Sequence, residues 1–270
     1  MPGYMGSAWR GGFGRALRRA VCVTGLTSCP GCPFEASCVY PYLFETAPGG
    51  EGGILAAYDR VPNPFVLMPP WDEVRLLPTG GETGIRLVLI GRAIEHAGFA
   101  KQAVVEAGLR GLGPDRGALD LLSVEPATPP QFRPCSDHVE ITLASPLRLV
   151  EAGRLVGPAM LRPRHLLLAL LRRVSTLAQR HGPAPLDLDY RALKERAEEA
   201  EFAAAELCWV EWARYSGRQQ ALLQMGGLLG ALSLPLAGIE QFWPFLALAS
   251  WVHVGKGATM GLGAMQVVPA

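Results

Sequence analysis

The chain has 270 residues, 49% apolar and 18% charged. That is too apolar for disorder and, at roughly 150 residues per domain, long enough for two domains with a core each. A formal net charge of +1 gives no global attraction to nucleic acid, so any basic surface has to be local. Lysine occurs only as Lys101, Lys194 and Lys256; the positive charge is carried mainly by arginine, whose planar fork suits bidentate phosphate contacts.

The first apolar stretch is broken by Gly, Arg and aromatic residues, so no export signal is visible and a cytoplasmic protein is expected. The charge-free run between Arg218 and Glu240 contains Gly226, Gly227, Gly230, Pro235 and Gly238 and reads as strand and turn, with no membrane partner. In that setting six cysteines imply reduced thiols or metal ligation, not a disulfide framework.

In chain order, a basic helix is expected from Trp9 to Val21, carrying Arg10, Arg15, Arg18 and Arg19, with no acid before Glu35. Cys22, Cys29, Cys32 and Cys38 follow. Residues 84–90 read as a buried strand, 91–107 as a helix with apolar positions at helical spacing, and 118–124 as another strand after a Gly111-Leu112-Gly113 turn. Four prolines in Glu125–Ser136 mark a linker. Beyond it come a strand at 138–150 and helices at 162–180 and 189–206. Strands at 207–213 and 228–236, a helix at 240–251, a glycine-rich loop and a strand at 265–268 complete the chain. This is an α+β order, twice the βαββαβ of a ferredoxin-like (RRM-like) unit. The expected domains are 1–125, with a Cys-rich insertion, and 137–270, with a C-terminal glycine-rich loop. Only eight residues precede Trp9, so either the first sheet lacks a strand or the start codon lies downstream of the original one.

Four features could carry chemistry. The loop around Gly255, Gly257, Gly261 and Gly263 fits neither a Walker A nor a Rossmann pattern. Its N–H groups with Lys256 could receive a phosphate, or its glycines could serve tight turns alone. The arginine helix could track phosphates or be a solvated face. The four cysteines could build a structural zinc site or an iron–sulfur cluster, or be buried reduced thiols. In WVEWARYSGRQ, Arg214, Tyr215, Arg218 and Gln219 combine stacking surface with forked donors suited to unstacked RNA bases, and the same run could be a strand packing its tryptophans. Of the five scattered histidines, His253 stands two residues before the glycine loop.

Taken together, GSAWRGGFGRALRRAVC, CPGCPFEASCVYPYLFET, PFVLMPP, LVLIGRAIEH, LLRRVSTLAQRHG, WARYSGRQ with MGG after it, and VHVGKGATMGLG resemble the CRISPR-associated endoribonucleases of the RAMP superfamily that process precursor crRNA. The resemblance spans nearly the whole chain and implies tandem ferredoxin-like domains that bind CRISPR repeat RNA. It also implies a single cut per repeat without a catalytic cofactor, by 2′-hydroxyl attack giving a 2′,3′-cyclic phosphate and a 5′-hydroxyl. Many members use a histidine of the first domain as base, and no histidine precedes His96 here. His253, with a near-neutral ordinary pKa, is therefore the expected substitute beside Lys256, and Tyr40 and Tyr42 are next. Two other readings stay open. One is a non-catalytic RAMP subunit holding crRNA among other Cas effector subunits; the other is a zinc-dependent DNA-binding regulator.

Overall fold

A computed structural model describes residues 4–45, 61–71, 77–113, 116–128, 136–216 and 221–270. The N-terminal part begins with α1 (Gly6–Val21), whose Trp9, Phe13, Ala16 and Leu17 are buried while Arg15 and Arg19 face solvent, an apolar stripe at helical spacing. The loop 22–38 leads to the short α2 (Val39–Phe44). β1 (Phe65–Met68) and β2 (Arg86–Leu89) pair antiparallel, Phe65 opposite Leu89. A 3-10 turn at Gly91–His96 opens α3 (Ala97–Leu109), which turns Ala100, Ala103 and Ala107 inward. These small side chains let α1 approach closely: a Cβ on Gly12 would stand 3.1 Å from the Ala107 methyl. One core joins these elements, centred on Phe13, Leu17, Leu43, Phe65 and Leu67.

The C-terminal part runs β3 (His138–Leu147), a small hairpin of β4 (Val150–Glu151) and β5 (Arg154–Leu155), α4 (Pro163–His181) and α5 (Tyr190–Glu199). Then come the long hairpin β6 (Ala204–Ser216) and β7 (Ala221–Pro235), α6 (Trp243–Val252) and β8 (Met265–Pro269). The four-stranded sheet has the order β6-β7-β3-β8, antiparallel throughout. That is the ferredoxin-like arrangement, with the first and third strands central. α4, α6 and the 3-10 turn just before α6 cover one face with Leu166, Leu167, Leu170, Phe242 and Leu246, each fully buried aliphatic or aromatic side chain stabilising by about 1.5–3 kcal/mol. Among the described residues no helix is long and apolar enough to cross a membrane.

Three expectations need correction. Residues 118–124 form no strand: Leu121 and Leu122 are exposed, and the Leu119 N–H goes to Gly108 O at the end of α3. An apolar run becomes a strand only where a ladder partner is in reach. The first unit thus has two described strands, fewer than expected, and one of them, β1, lies in PFVLMPP, where two flanking prolines obscured it. The helix expected over 189–206 stops at Glu199, because Ala204–Glu206 pair with β7 and the ladder overrides helix propensity. Residues 129–135 of the expected linker lie outside the described residues.

The two parts meet on paired contacts. Gly91 packs against His181 O, and Arg92 donates to Arg180 O at 3.1 Å. The fully buried His181 binds Pro62 O through Nε2 at 3.0 Å and the Tyr42 hydroxyl through Nδ1 at 3.3 Å. Tyr4, Trp71 and Trp212 pack at tilted and edge-to-face angles in a second contact with Met225 and Leu262.

Candidate functional site

The glycine-rich loop is wedged between the two parts. Gly261 and Gly263 adopt φ of +88° and +68°, a region ordinary side chains avoid. A Cβ on Gly261 would meet the Tyr4 hydroxyl and Leu67 O of β1, and one on Gly263 would meet Val254 O. The loop is pinned by Ser145, which donates to Gly261 O at 2.7 Å and accepts from the Ala264 N–H, and by Tyr4, which donates to Met260 O. Gly255 and Gly257 also turn to positive φ and are partly exposed. The N–H groups of Lys256, Gly261, Leu262 and Gly263 all donate to protein carbonyls. This corrects the expected cradle at Gly261 and Gly263, which are buried and shape the turn, while Gly255 and Gly257 stay partly exposed on either side of the exposed Lys256.

From this loop a basic strip runs along α1. The Arg10 Nε donates to Thr259 Oγ1 at 3.0 Å, and its guanidinium lies over the Phe44 ring at 5.4 Å. Phe44 stacks on Tyr40 with centroids 5.4 Å apart and planes 10° from parallel. Arg18 lies over the other ring of the pair, 5.4 Å from the Tyr40 centroid. Arg10, Gly14 and Arg18 are four residues apart and so share a helix face. Gly14 admits the Phe44 ring, since a Cβ there would come within 2.9 Å of it. The result is a cation, two stacked rings and a second cation in one row about 12 Å long, at 1.5 Å per residue. Arg15 and Arg19 are exposed further round the helix.

The titratable candidates behave differently from their sequence reading. His253 is fully buried with φ +53°, and neither ring nitrogen has a partner of normal hydrogen-bond geometry. Burial, then the Arg173 cation, push its pKa down to about 4 against a weaker pull from the Leu262 and Gly261 backbone. A ring with no accessible surface cannot reach an RNA hydroxyl, so the general-base assignment to His253 is corrected: the ring fills space under the loop. Tyr42 is committed to His181 and stacks edge-on against both His181 and His96. Burial raises the pKa of Tyr40 and of Tyr42; Glu45 adds to this at Tyr40, and Arg18 opposes it. Both phenols therefore hold their protons at neutral pH and suit donation better than abstraction.

Burial also pushes His181 down to about 4. Both histidines titrate nearer 6.5 in the unfolded chain, so below that pH the unfolded state binds protons that the native state refuses. Stability should be fully present above pH 6.5, fall on acidification toward pH 4, and lose this contribution below it. Thermal melts between pH 7.5 and 4 test this, with His253→Phe expected to flatten the dependence.

The cysteines Cys22, Cys29, Cys32 and Cys38 line one pocket with Arg18 and Tyr40, at the far end of the strip. All four are free thiols. Arg214 and Tyr215 lie on β6 opposite Leu223 and Leu222; their side chains, and all of Arg218 and Gln219, lie outside the described residues. Trp209 lies over Gly226 of β7 but stays exposed, whereas Trp212 joins the Tyr4–Trp71 cluster, so one tryptophan of that motif packs and the other remains accessible. Sequence reasoning missed Thr259, Phe44 and Gly14. A glycine on the arginine face of α1 was the one available signal.

Two tandem units, one with a ferredoxin-like sheet, thus hold a glycine-rich loop between them. A family model described as an N-terminal domain matches residues 1–145, and the model of the CRISPR-associated endoribonuclease Cas6 matches residues 141–265. The C-terminal part of the chain thus matches the Cas6 family. Its fold is similar to that of a Cas6 (TTHB231) product complex, at 20% identity and a TM-score of 0.65 over 99% of this chain and 95% of that one. Thermus thermophilus Cas6 (TTHB231) matches at 20% identity and 0.54, covering 98% and 91%. A Cas6 (TTHA0078) product complex matches at 19% and 0.56, covering 99% and 93%. No curated protein matches the chain.

Proposed function

We propose that this protein binds CRISPR repeat RNA along the strip from Lys256 to Arg18 and cleaves precursor crRNA there without a metal. The observation that carries the reading is the Arg10–Thr259 bond, which joins the arginine helix and the glycine loop into one surface although the two residues are 249 positions apart. The units are taken as 1–125 and 137–270, in keeping with the two separate cores.

In the proposed reaction the 2′-oxygen bonds to the adjacent phosphorus and gives its proton to a solvent water, and the bond from phosphorus to the 5′-oxygen breaks, that oxygen taking up a proton from Tyr40 or from water. Cations at the phosphorane are the largest contribution such a site can make, and Lys256 is the exposed cation of the loop. Tyr40, kept protonated by burial and lying between Phe44 and Arg18, would donate a hydrogen bond or a proton. Arg15 and Arg19 extend the positive surface for flanking phosphates. The hairpin residues Arg214, Tyr215, Arg218 and Gln219 keep their proposed role in contacting bases.

Incubating the protein with labelled repeat RNA in EDTA tests this. One cut leaving a 2′,3′-cyclic phosphate and a 5′-hydroxyl is expected. Affinity should fall steeply between low and physiological salt, because each phosphate contact releases counterions. The burial of His253 and the raised tyrosine pKa values favour a second reading, a subunit that holds crRNA without cutting it. RNA bound with salt-sensitive affinity and recovered intact would establish that reading instead.

A further inference from the structure

The loop from Cys22 to Cys38 has no regular secondary structure and none of its 17 residues is buried. A run of that length without an element of its own is unusual in a compact domain. Its burial is also reversed. Val23, Leu26 and Phe34 are 80%, 48% and 51% exposed, whereas the only partly buried positions are Cys22, Cys29, Cys32, Cys38 and Glu35. The side chains turned inward are thus the four cysteines plus one carboxylate, and Glu35 is spent accepting the Gly31 N–H at 2.9 Å. Hydrophobic burial cannot be what organises this loop.

Its local geometry suits thiolate ligation. Cys29-Pro30-Gly31-Cys32 closes as a turn, the Cys32 N–H donating to Cys29 O at 2.9 Å with Gly31 at φ +82°, which holds two sulfurs of a Cys-x2-Cys pair on one short bend. The Thr24 hydroxyl stands 3.9 Å from the Cys22 sulfur and 3.7 Å from that of Cys32. Arg18 donates to Leu26 O and also faces Cys22 and Cys29, so a cation already lies where a tetrathiolate centre of net charge −2 would need one. Among the described residues no three Cys, His, Asp or Glu side chains converge to ion-binding distance. The Thr24 hydroxyl stands between the Cys22 and Cys32 sulfurs, so ligation by all four cysteines would require this exposed loop to rearrange.

We propose that Cys22, Cys29, Cys32 and Cys38 bind one Zn²⁺ as thiolates, forming a structural knuckle that replaces a hydrophobic core for the loop and sets the position of Arg18 and Tyr40. Binding displaces four thiol protons to solvent, with no change of oxidation state. All four ligands come from the protein, which marks a closed, structural site and not a catalytic one.

The test uses the untagged full-length protein, free of RNA, so its outcome is independent of whether the protein cleaves. Protein from zinc-supplemented cells should carry about one zinc per chain, released on titration of the thiols with a mercurial, as expected for a Cys₄ site. Co²⁺ added to metal-free protein should give intense thiolate-to-cobalt charge-transfer and tetrahedral d–d bands. Zinc content should fall at least about tenfold in Cys29→Ser/Cys32→Ser, the loss expected on removing two of four ligands. Because that variant could misfold, the cobalt spectrum of the parent chain is the deciding measurement. Parent protein with no bound zinc, no cobalt spectrum and four readily alkylated thiols would overturn the proposal. So would mapped disulfides among these cysteines, or iron with acid-labile sulfide in place of zinc.

Discussion

Replacing Gly263 by valine should destabilise the protein by more than about 4 kcal/mol, a size reached only by a few named mechanisms. Two of them act here together. The backbone sits at φ +68°, which costs a side-chain-bearing residue about 1–3 kcal/mol. A Cβ would also stand 1.8 Å from Val254 O, and that neighbour is backbone, held by the Val254 N–H to Gly263 O bond at 3.0 Å, so it cannot swing aside. At roughly 2–4 °C per kcal/mol for a chain of this size class, the melting temperature should drop by about 10 °C or more. Gly153→Ala separates the two causes. Gly153 has φ +81° with nothing within 4 Å of a built Cβ, so it should cost only about 1–2 kcal/mol, the strain alone. Equal melting temperatures for the two variants would mean that the loop tolerates repacking and is not wedged as described.

Lys256→Ala should slow cleavage of repeat RNA on the order of 10²-fold, by analogy with removing one preformed donor from an oxyanion site. Lys256 is exposed, and its backbone N–H donates to Arg148 O at 2.8 Å, so the side chain can be removed without loosening the loop. The loss should appear in the single-turnover rate more than in RNA affinity, because a cation at the phosphorane acts in the transition state. Tyr40→Phe should slow cleavage less and keep the stack on Phe44. His253→Phe, which keeps an aromatic ring at the buried position and removes the titratable one, should leave a cleaving enzyme. A dead His253→Phe variant that melts like the parent would return the proton-transfer role to the histidine. An unchanged rate in Lys256→Ala would remove the glycine loop from the chemistry.

Much of the fold was legible because it rests on periodicity. Trp9, Phe13, Ala16 and Leu17 announce α1; Val139, Ile141 and Leu143 announce β3; and the helix expected at 162–180 is α4 (Pro163–His181). The failures are places where pairing decides. Residues 118–124 have the composition of a strand and no ladder to join, and Ala204–Glu206 have the composition of a helix and a ladder that claims them. The short β1 was hidden because its four residues stand between prolines, where local propensity says little.

For the site, sequence by itself determined the inventory: an arginine helix, a cysteine loop, two tyrosines, and a glycine loop carrying one of three lysines. Those are properties of residue type and spacing, and they suffice to suggest phosphate contacts and thiolate ligation. Which members face a ligand was decided only by tertiary structure. Burial turned His253 from a candidate base into a neutral core ring, and inward N–H bonds turned Gly261 and Gly263 from a phosphate cradle into a scaffold. Arg10 and Thr259 became neighbours although they are 249 residues apart. Accessibility, pKa and long-range adjacency depend on what the rest of the chain packs around a residue, and no local pattern of residue types encodes that.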